Sequence, residues 1–359
     1  MITASTPPRQ LEPPRWQHEM AAAITSLEDL AQALGLTPAA LGAAGVPAQG
    51  HGATPAPDGA ESRADNAAAF RLLVPASYVG RMRRGDPRDP LLLQVLPSRR
   101  ENDDFAGYDS DPVGERDAMR APGLLKKYEG RALLITTSAC AIHCRYCFRR
   151  EFPYPEHQSE SKRWSAALEE ISRDASIEEV ILSGGDPLSL SDARLASLTD
   201  AISKIRHVRR IRVHTRQPIV LPSRVDSGLI AWLKGIGVPT VIVLHSNHPN
   251  EISDEVREAC RHLRQTGVTL LNQSVLLRDV NDNADILAEL SQKLFDAGVL
   301  PYYLHVLDRV RGAAHFDISE DSARTLAGQL AARLPGYLVP RLVREVHGAP
   351  AKVGIAPRF

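Results

Sequence analysis

The stretch ALLITTSACAIHCRYC, residues 132–147, decides how the chain is read. Residues 132–137 are apolar or β-branched and read as a short buried strand. The strand runs into Cys140, Cys144 and Cys147, a CxxxCxxC triplet. Three thiolates so close together in a loop can each hold one iron of a cubane [4Fe–4S] cluster, which leaves the fourth iron open to another ligand. Zinc is the alternative metal, but a structural zinc site is closed by four ligands, and His143 inside the triplet is cramped as a fourth. Three thiols at this spacing argue against simple burial. Cys260 stands alone on an amphipathic pattern and reads as a buried structural thiol.

Downstream of the triplet the pattern repeats. Segments 179–182, 211–214, 240–245, 269–275 and 301–306 read as further buried strands, apolar on consecutive positions as in parallel strands covered on both faces. Helical patterns at 164–173, 192–205, 223–234, 251–265, 284–297 and 319–334 lie between and after them. After the first, strand starts are roughly 30 residues apart, the length of one βα unit. Six such units predict an α/β fold, a partial (β/α)6 TIM-like barrel with an N-terminal helical extension. A doubly wound open sheet is the alternative. Each strand ends in polar residues, among them Ser183-Gly184-Gly185-Asp186, His214-Thr215-Arg216 and His245-Ser246-Asn247. Strand C-termini carry the chemistry in parallel α/β folds, so these ends predict one lined cavity.

Upstream, residues 1–66 form a variable region. A short helix is expected at 26–33, capped by Ser26, and residues 38–60, mostly Ala, Gly and Pro, read as a flexible linker. Residues 67–122 form a helical extension with two short helices between Phe70 and Leu96. The core is expected over 123–345, with a C-terminal segment at 346–359. Lys plus Arg and Asp plus Glu each count 43 in 359 residues, so there is no basic field for coating nucleic acid. No apolar run has the ~20 residues of a membrane span, and the N-terminus has no signal pattern, so no membrane role and a cytoplasmic location are expected. Four cysteines are too few for a disulfide framework.

The cysteine motif, with the aromatic Tyr146 before its last cysteine, resembles the signature of the radical S-adenosylmethionine (SAM) superfamily. The resemblance narrows further along. Cys147-Phe148-Arg149-Arg150-Glu151-Phe152, Leu182-Ser183-Gly184-Gly185-Asp186-Pro187-Leu188, His248-Pro249-Asn250-Glu251, the run from Asn272 to Asp282 and Pro301-Tyr302-Tyr303 are similar to the lysine 2,3-aminomutases. The segments from Tyr302 to Asp308 and from Gly312 to Phe316 fit the short branch of that family, whose product serves (R)-β-lysylation of elongation factor P.

The resemblance implies three cofactors: one [4Fe–4S] cluster on Cys140, Cys144 and Cys147, SAM, and pyridoxal 5′-phosphate (PLP) on Lys352. It places Tyr146, Gly184, Gly185, Asp186, His245 and Gln273 at SAM, and Arg131 and Lys127 at the PLP phosphate. Lys127 stands where the family has arginine. Arg149 would grip the substrate carboxylate bidentately, and Asp308 and Glu345 would hold the distal ammonium of L-lysine. Glu345 replaces a family Asp, and the family's Gly-rich run before the lysine has thinned to Gly348. The implied reaction is an intramolecular amino transfer from L-α-lysine to (R)-β-lysine. The implied partners are an external electron donor such as flavodoxin or ferredoxin and an elongation factor P ligase; a homo-oligomer is left open. A catabolic or biosynthetic aminomutase unrelated to translation is the alternative. A PLP-free radical enzyme and a non-catalytic cysteine–metal module are the others.

Overall fold

The computed structural model describes residues 13–44, 70–154 and 160–359. Its N-terminal layer begins with α1 (Arg15–Ala21), α2 (Leu27–Leu34) and α3 (Pro38–Ala44). Ser26 caps α2 by accepting from the Asp29 amide at 3.0 Å, and Gly35, at φ 66°, closes it in the left-handed conformation. Helix α3 occupies the start of the expected linker. Thr37 Oγ1 accepts from the Ala40 amide at 3.1 Å, alanine favours helix, and Leu41 is buried, so composition misled there. Residues 45–60 of that linker lie outside the described residues.

Two one-turn helices follow, α4 (Ala76–Val79) and α5 (Pro90–Leu93), the pair expected before Leu96. Leu30, Leu34, Tyr78, Leu91 and Val95 pack with Ala141 and Ile142 of the cysteine loop. The loop is also pinned through its backbone: His143 N donates to Leu73 O at 3.1 Å and Arg145 N to Gln94 O at 2.9 Å. The N-terminal layer is therefore the floor under the cysteines.

The body is one ten-stranded sheet. In chain order it runs β1 (Met119–Ala121), β2 (Leu124–Tyr128), β3 (Arg131–Thr137), α6 (Glu160–Arg173), β4 (Glu179–Gly184), α7 (Asp192–Ser203) and β5 (Arg210–Thr215). It continues with α8 (Gln217–Val220), α9 (Ser227–Gly235), β6 (Thr240–His245), α10 (Asp254–Arg264), β7 (Thr269–Val275) and α11 (Ala284–Asp296). It ends with β8 (Leu300–His305), α12 (Glu320–Arg333), β9 (Arg341–Arg344) and β10 (Val353–Gly354). Spatial order equals chain order throughout, with no reversal, which excludes the doubly wound alternative. Strands β3 to β9 are parallel, one more than the six expected, and the outer pairs β1–β2, β2–β3 and β9–β10 are antiparallel.

The sheet curls without closing through strand pairing. Lys127 on β2 reaches Glu345, just past β9, at 2.9 Å, so an ion pair links the two ends of the sheet one strand in from each edge. Strands β5 and β7 alternate in burial instead of being apolar on both faces. Ile211, Val213 and Leu270 face the helices, while Arg212, His214 and Gln273 face inward. The inner face lines a cavity and is not filled by layers of apolar side chains, which is why the expected pattern of consecutive apolar residues fails there. Among the described residues no helix is long and apolar enough to cross a membrane.

Candidate active site

The parallel strands end around a cavity of about 1020 Å³. All the residues singled out from sequence as site residues line it, from Lys127 and Arg131 on the β2–β3 side, through the cysteines and strand ends, to Asp308, Glu345 and Lys352. Most sit at the C-terminal end of a strand or in the loop after one, whereas Arg131 opens β3 and Gln273 points inward from within β7.

Cys140, Cys144 and Cys147 are free thiols on one wall. Burial pushes the Cys147 thiol up to about 11, and burial first, then Cys147 itself, pushes Cys140 upward. Such thiols ionise only against a strong Lewis acid, so metal loading must release protons. The three thiols line one cavity without a fourth His, Cys, Asp or Glu ligand drawn in to close a zinc site among the described residues. A donor set of three thiols on an open wall suits a cluster with one thiolate per iron.

Two sequence expectations change here. Gly184 and Gly185 were expected to let a ligand approach the backbone, yet they admit backbone from this chain. A Cβ at Gly185 would lie 2.3 Å from Ala139 O, and one at Gly184 2.5 Å from Thr137 O, at a φ of 121°. The glycines seat the end of β4 against the base of the cysteine loop, where Gly185 N donates to Thr137 O and Asp186 N to Ala139 O. The Asp186 carboxylate is likewise committed. It accepts from Thr215 Oγ1 and Arg216 N at 2.7 Å each, Leu188 N at 3.0 Å and Gln217 N at 3.1 Å. It ties the ends of β4 and β5 together, leaving only the cavity-facing edges of this turn for a ligand.

Arg149 brings the second change. Its Nε and Nη2 donate to the two Glu115 carboxylate oxygens at 2.8 and 2.5 Å, and Nη1 donates to Ser183 Oγ at 2.9 Å. The fork expected to grip a ligand carboxylate bidentately is already taken by Glu115, and because Nη1 also reaches Gly184 O at 3.4 Å, one N–H on Nη2 remains open. Glu115 was invisible to sequence reasoning because it lies 34 residues upstream in a turn-rich segment. The turn itself is set by Asp111, which accepts from the Glu115 and Arg116 amides at 2.8 and 3.0 Å.

At the opposite end, Glu345 accepts from Lys127 Nζ at 2.9 Å, Tyr128 OH at 2.6 Å and Lys352 Nζ at 2.5 Å. Burial alone would raise its carboxyl, but Lys352 and Lys127 draw it down to about 2. Asp308 is pushed up to about 7 by burial, against the pull of Lys352 and with the help of Glu345. Lys352 Nζ lies 5.8 Å from the Tyr303 ring centroid. The Arg131 guanidinium lies 4.6 Å from the Tyr128 ring and has no carboxylate partner among the described residues. Buried His214 Nε2, on the cavity wall, has no partner either. Lys127 and Tyr128 are taken by Glu345, so the donors this wall leaves for an anionic phosphate are the Arg131 guanidinium and His214 Nε2.

His245 and Tyr146 act together: Tyr146 OH and His245 Nε2 lie 2.8 Å apart, and Asn247 Nδ2 donates to Tyr146 OH at 2.7 Å. Burial first, then Arg216, holds His245 well below the usual imidazole range, so it is neutral. Gln273 faces the cavity from the strand beside it.

Residues 134–290 match the model of the Radical SAM superfamily. The L-lysine 2,3-aminomutase of Escherichia coli (strain K12) is 50% identical over 79% of this chain and 82% of its own length. The chain belongs to the radical SAM lysine 2,3-aminomutase family. The enzymes of that name from Haemophilus influenzae and Clostridium subterminale are 47% and 35% identical, over 79% and 81% of this chain and 84% and 70% of their own. This aminomutase-family chain is therefore an enzyme, and its radical SAM core implies a [4Fe–4S] cluster and SAM. The thiol wall fits that cluster.

Proposed function

We propose that the enzyme is an L-lysine 2,3-aminomutase that uses PLP on Lys352 and forms (R)-β-lysine for a ligase acting on elongation factor P. One observation carries the reading: Lys352 lines the same cavity as the three cysteines, ion-paired to Glu345, which Lys127 also meets. The relatives' names support lysine as the substrate. Resemblance to the short branch supports the translational role.

When bound, the cluster and SAM supply one-electron hydrogen abstraction, and PLP supplies a π system that spreads an unpaired electron. The chain's own residues then do the positioning. Arg131 holds the phosphate, and Lys127 joins it once released from Glu345. The one open N–H of Arg149, on Nη2 and braced by Glu115, takes the substrate carboxylate. Asp308 and Glu345 take the distal ammonium, so a substrate with an anion at that end is repelled. Neutral His245 and Gln273 accept and donate at the SAM ribose. His214 and His305 are neutral too, chiefly through burial, which holds His305 at about 3, so neither adds charge to a cavity that must stay dry.

The test is anaerobic reconstitution with iron, sulfide, PLP and SAM, followed by absorption spectroscopy. The wild type should gain an imine band that borohydride fixes to Lys352. A Lys352→Ala protein should hold its iron and lack the band; a band that survives in that variant refutes the PLP assignment.

A further inference from the structure

Arg216, the first residue after β5, is buried and aimed at a cysteine. Its Nη1 lies 2.7 Å from Cys144 Sγ. Its Nη2 donates to Gln94 Oε1 at 2.7 Å, Tyr78 OH at 3.1 Å and Glu251 Oε1 at 3.2 Å. Glu251 is fully buried, and Gln94 Nε2 donates to the same Oε1 at 2.8 Å. Its second oxygen has no partner. The Arg216 backbone is fixed as well, through Asp186. Among the described residues no other charged side chain donates to any of the three cysteines of the triplet. A buried cation, held at Nη2 by three acceptors with only its Nε unpartnered, thus meets one thiol of the triplet.

We propose that Arg216 sets the reduction potential of the iron–sulfur cluster by holding its guanidinium against the Cys144 sulfur, with Glu251, Gln94 and Tyr78 as the groups that aim and balance it. The proposal rests on the assignment of the cluster to the cysteine triplet. Reduction adds one electron, from an external low-potential donor, to the cluster and places negative charge partly on its thiolates. A cation in hydrogen-bond contact stabilises the reduced form more than the oxidised form, and in a site shut off from water that difference is large. Arg216 therefore makes the cluster easier to reduce, and the Glu251 carboxylate offsets part of that effect. Tyr78 and Gln94 come from the N-terminal layer, so this layer tunes the cluster besides supporting its loop.

The experiment is potentiometry with an electron paramagnetic resonance readout on the reconstituted full chain without SAM, so that contacts to SAM do not contribute. Arg216→Met should lower the ratio of reduced to oxidised cluster about tenfold at a fixed potential, about 59 mV for a one-electron couple. Arg216→Lys should fall between Met and wild type. Glu251→Gln, which keeps an acceptor oxygen and removes the charge, should shift the ratio the opposite way. A merely structural role moves both positions in the same direction or changes iron content alone. Unchanged potentials at full iron content, or shifts of the same sign at Arg216 and Glu251, overturn the proposal. Should Arg216→Met fail to load iron, Arg216→Lys and Glu251→Gln still decide it. A wild-type chain that takes up no cluster would instead remove the cysteine assignment itself.

Discussion

Asp308→Asn is the perturbation that reads the acidic end of the cavity most sharply. Burial drives the Asp308 carboxyl up to about 7, in competition with the Lys352 cation, while its neighbour Glu345 stays ionised throughout the working range. A raised carboxyl is protonated below that value and charged above it, so only above it does Asp308 attract an ammonium group. From one pH unit below to one above, the ionised fraction rises from about one tenth to about nine tenths. The KM for lysine should therefore fall about ninefold across that window as pH rises. Binding of the substrate's ammonium should also release a proton near pH 7. Asparagine keeps the shape and cannot ionise, so the variant should lose the step. Above the window its KM should exceed the wild-type value by roughly 10- to 100-fold, the worth of a charge-assisted hydrogen bond of about 1.5–3 kcal/mol. The assay is initial-rate kinetics at saturating SAM, with the ratio of variant to wild-type KM plotted against pH. A flat ratio, or normal turnover of lysine by the variant, would refute the reasoning.

Anaerobic reconstitution should give about four irons per chain, and Cys144→Ala should lose that stoichiometry and SAM cleavage together. Gly185→Ala places a methyl group 2.3 Å from Ala139 O, so thermal denaturation should report a loss of about 1–3 kcal/mol with impaired cluster loading. Glu345→Asp shortens the acid shared by Lys127, Tyr128 and Lys352; the enzyme should stay active with an altered KM for lysine, measured by the same kinetics. Glu115→Gln removes the charge that braces Arg149, and steady-state kinetics should find a raised KM with iron content unchanged.

The alternation of strands and helices was legible because each barrel strand carries a short apolar or alternating apolar pattern between helical segments, and the structure has all six in parallel order. The edges were not. β2 reads Leu-Leu-Lys-Lys-Tyr, and β9 has only four residues, two of them arginines, so neither carries a strong periodic signal. The alternating inner face of β5 and β7 became interpretable only once the cavity gave its polar residues somewhere to point. In the site, residue types and strand-end positions were legible, whereas pairings were not. Arg149 meets Glu115 and Asp186 meets the Arg216 backbone through folding of distant segments, which no local spacing encodes. Gly184 and Gly185 were right as residues that admit close approach, but their neighbour is the chain itself.

The measurement closest to the central claim is anaerobic turnover of isotopically labelled L-lysine by the enzyme reconstituted with iron, sulfide, SAM, PLP and a low-potential reductant. Product is resolved by mass spectrometry and NMR. The account predicts label in β-lysine, with the amino group moved from C2 to C3 and no turnover by Lys352→Ala. Unchanged lysine from a fully loaded enzyme, or a preference for glutamate over lysine, would contradict it.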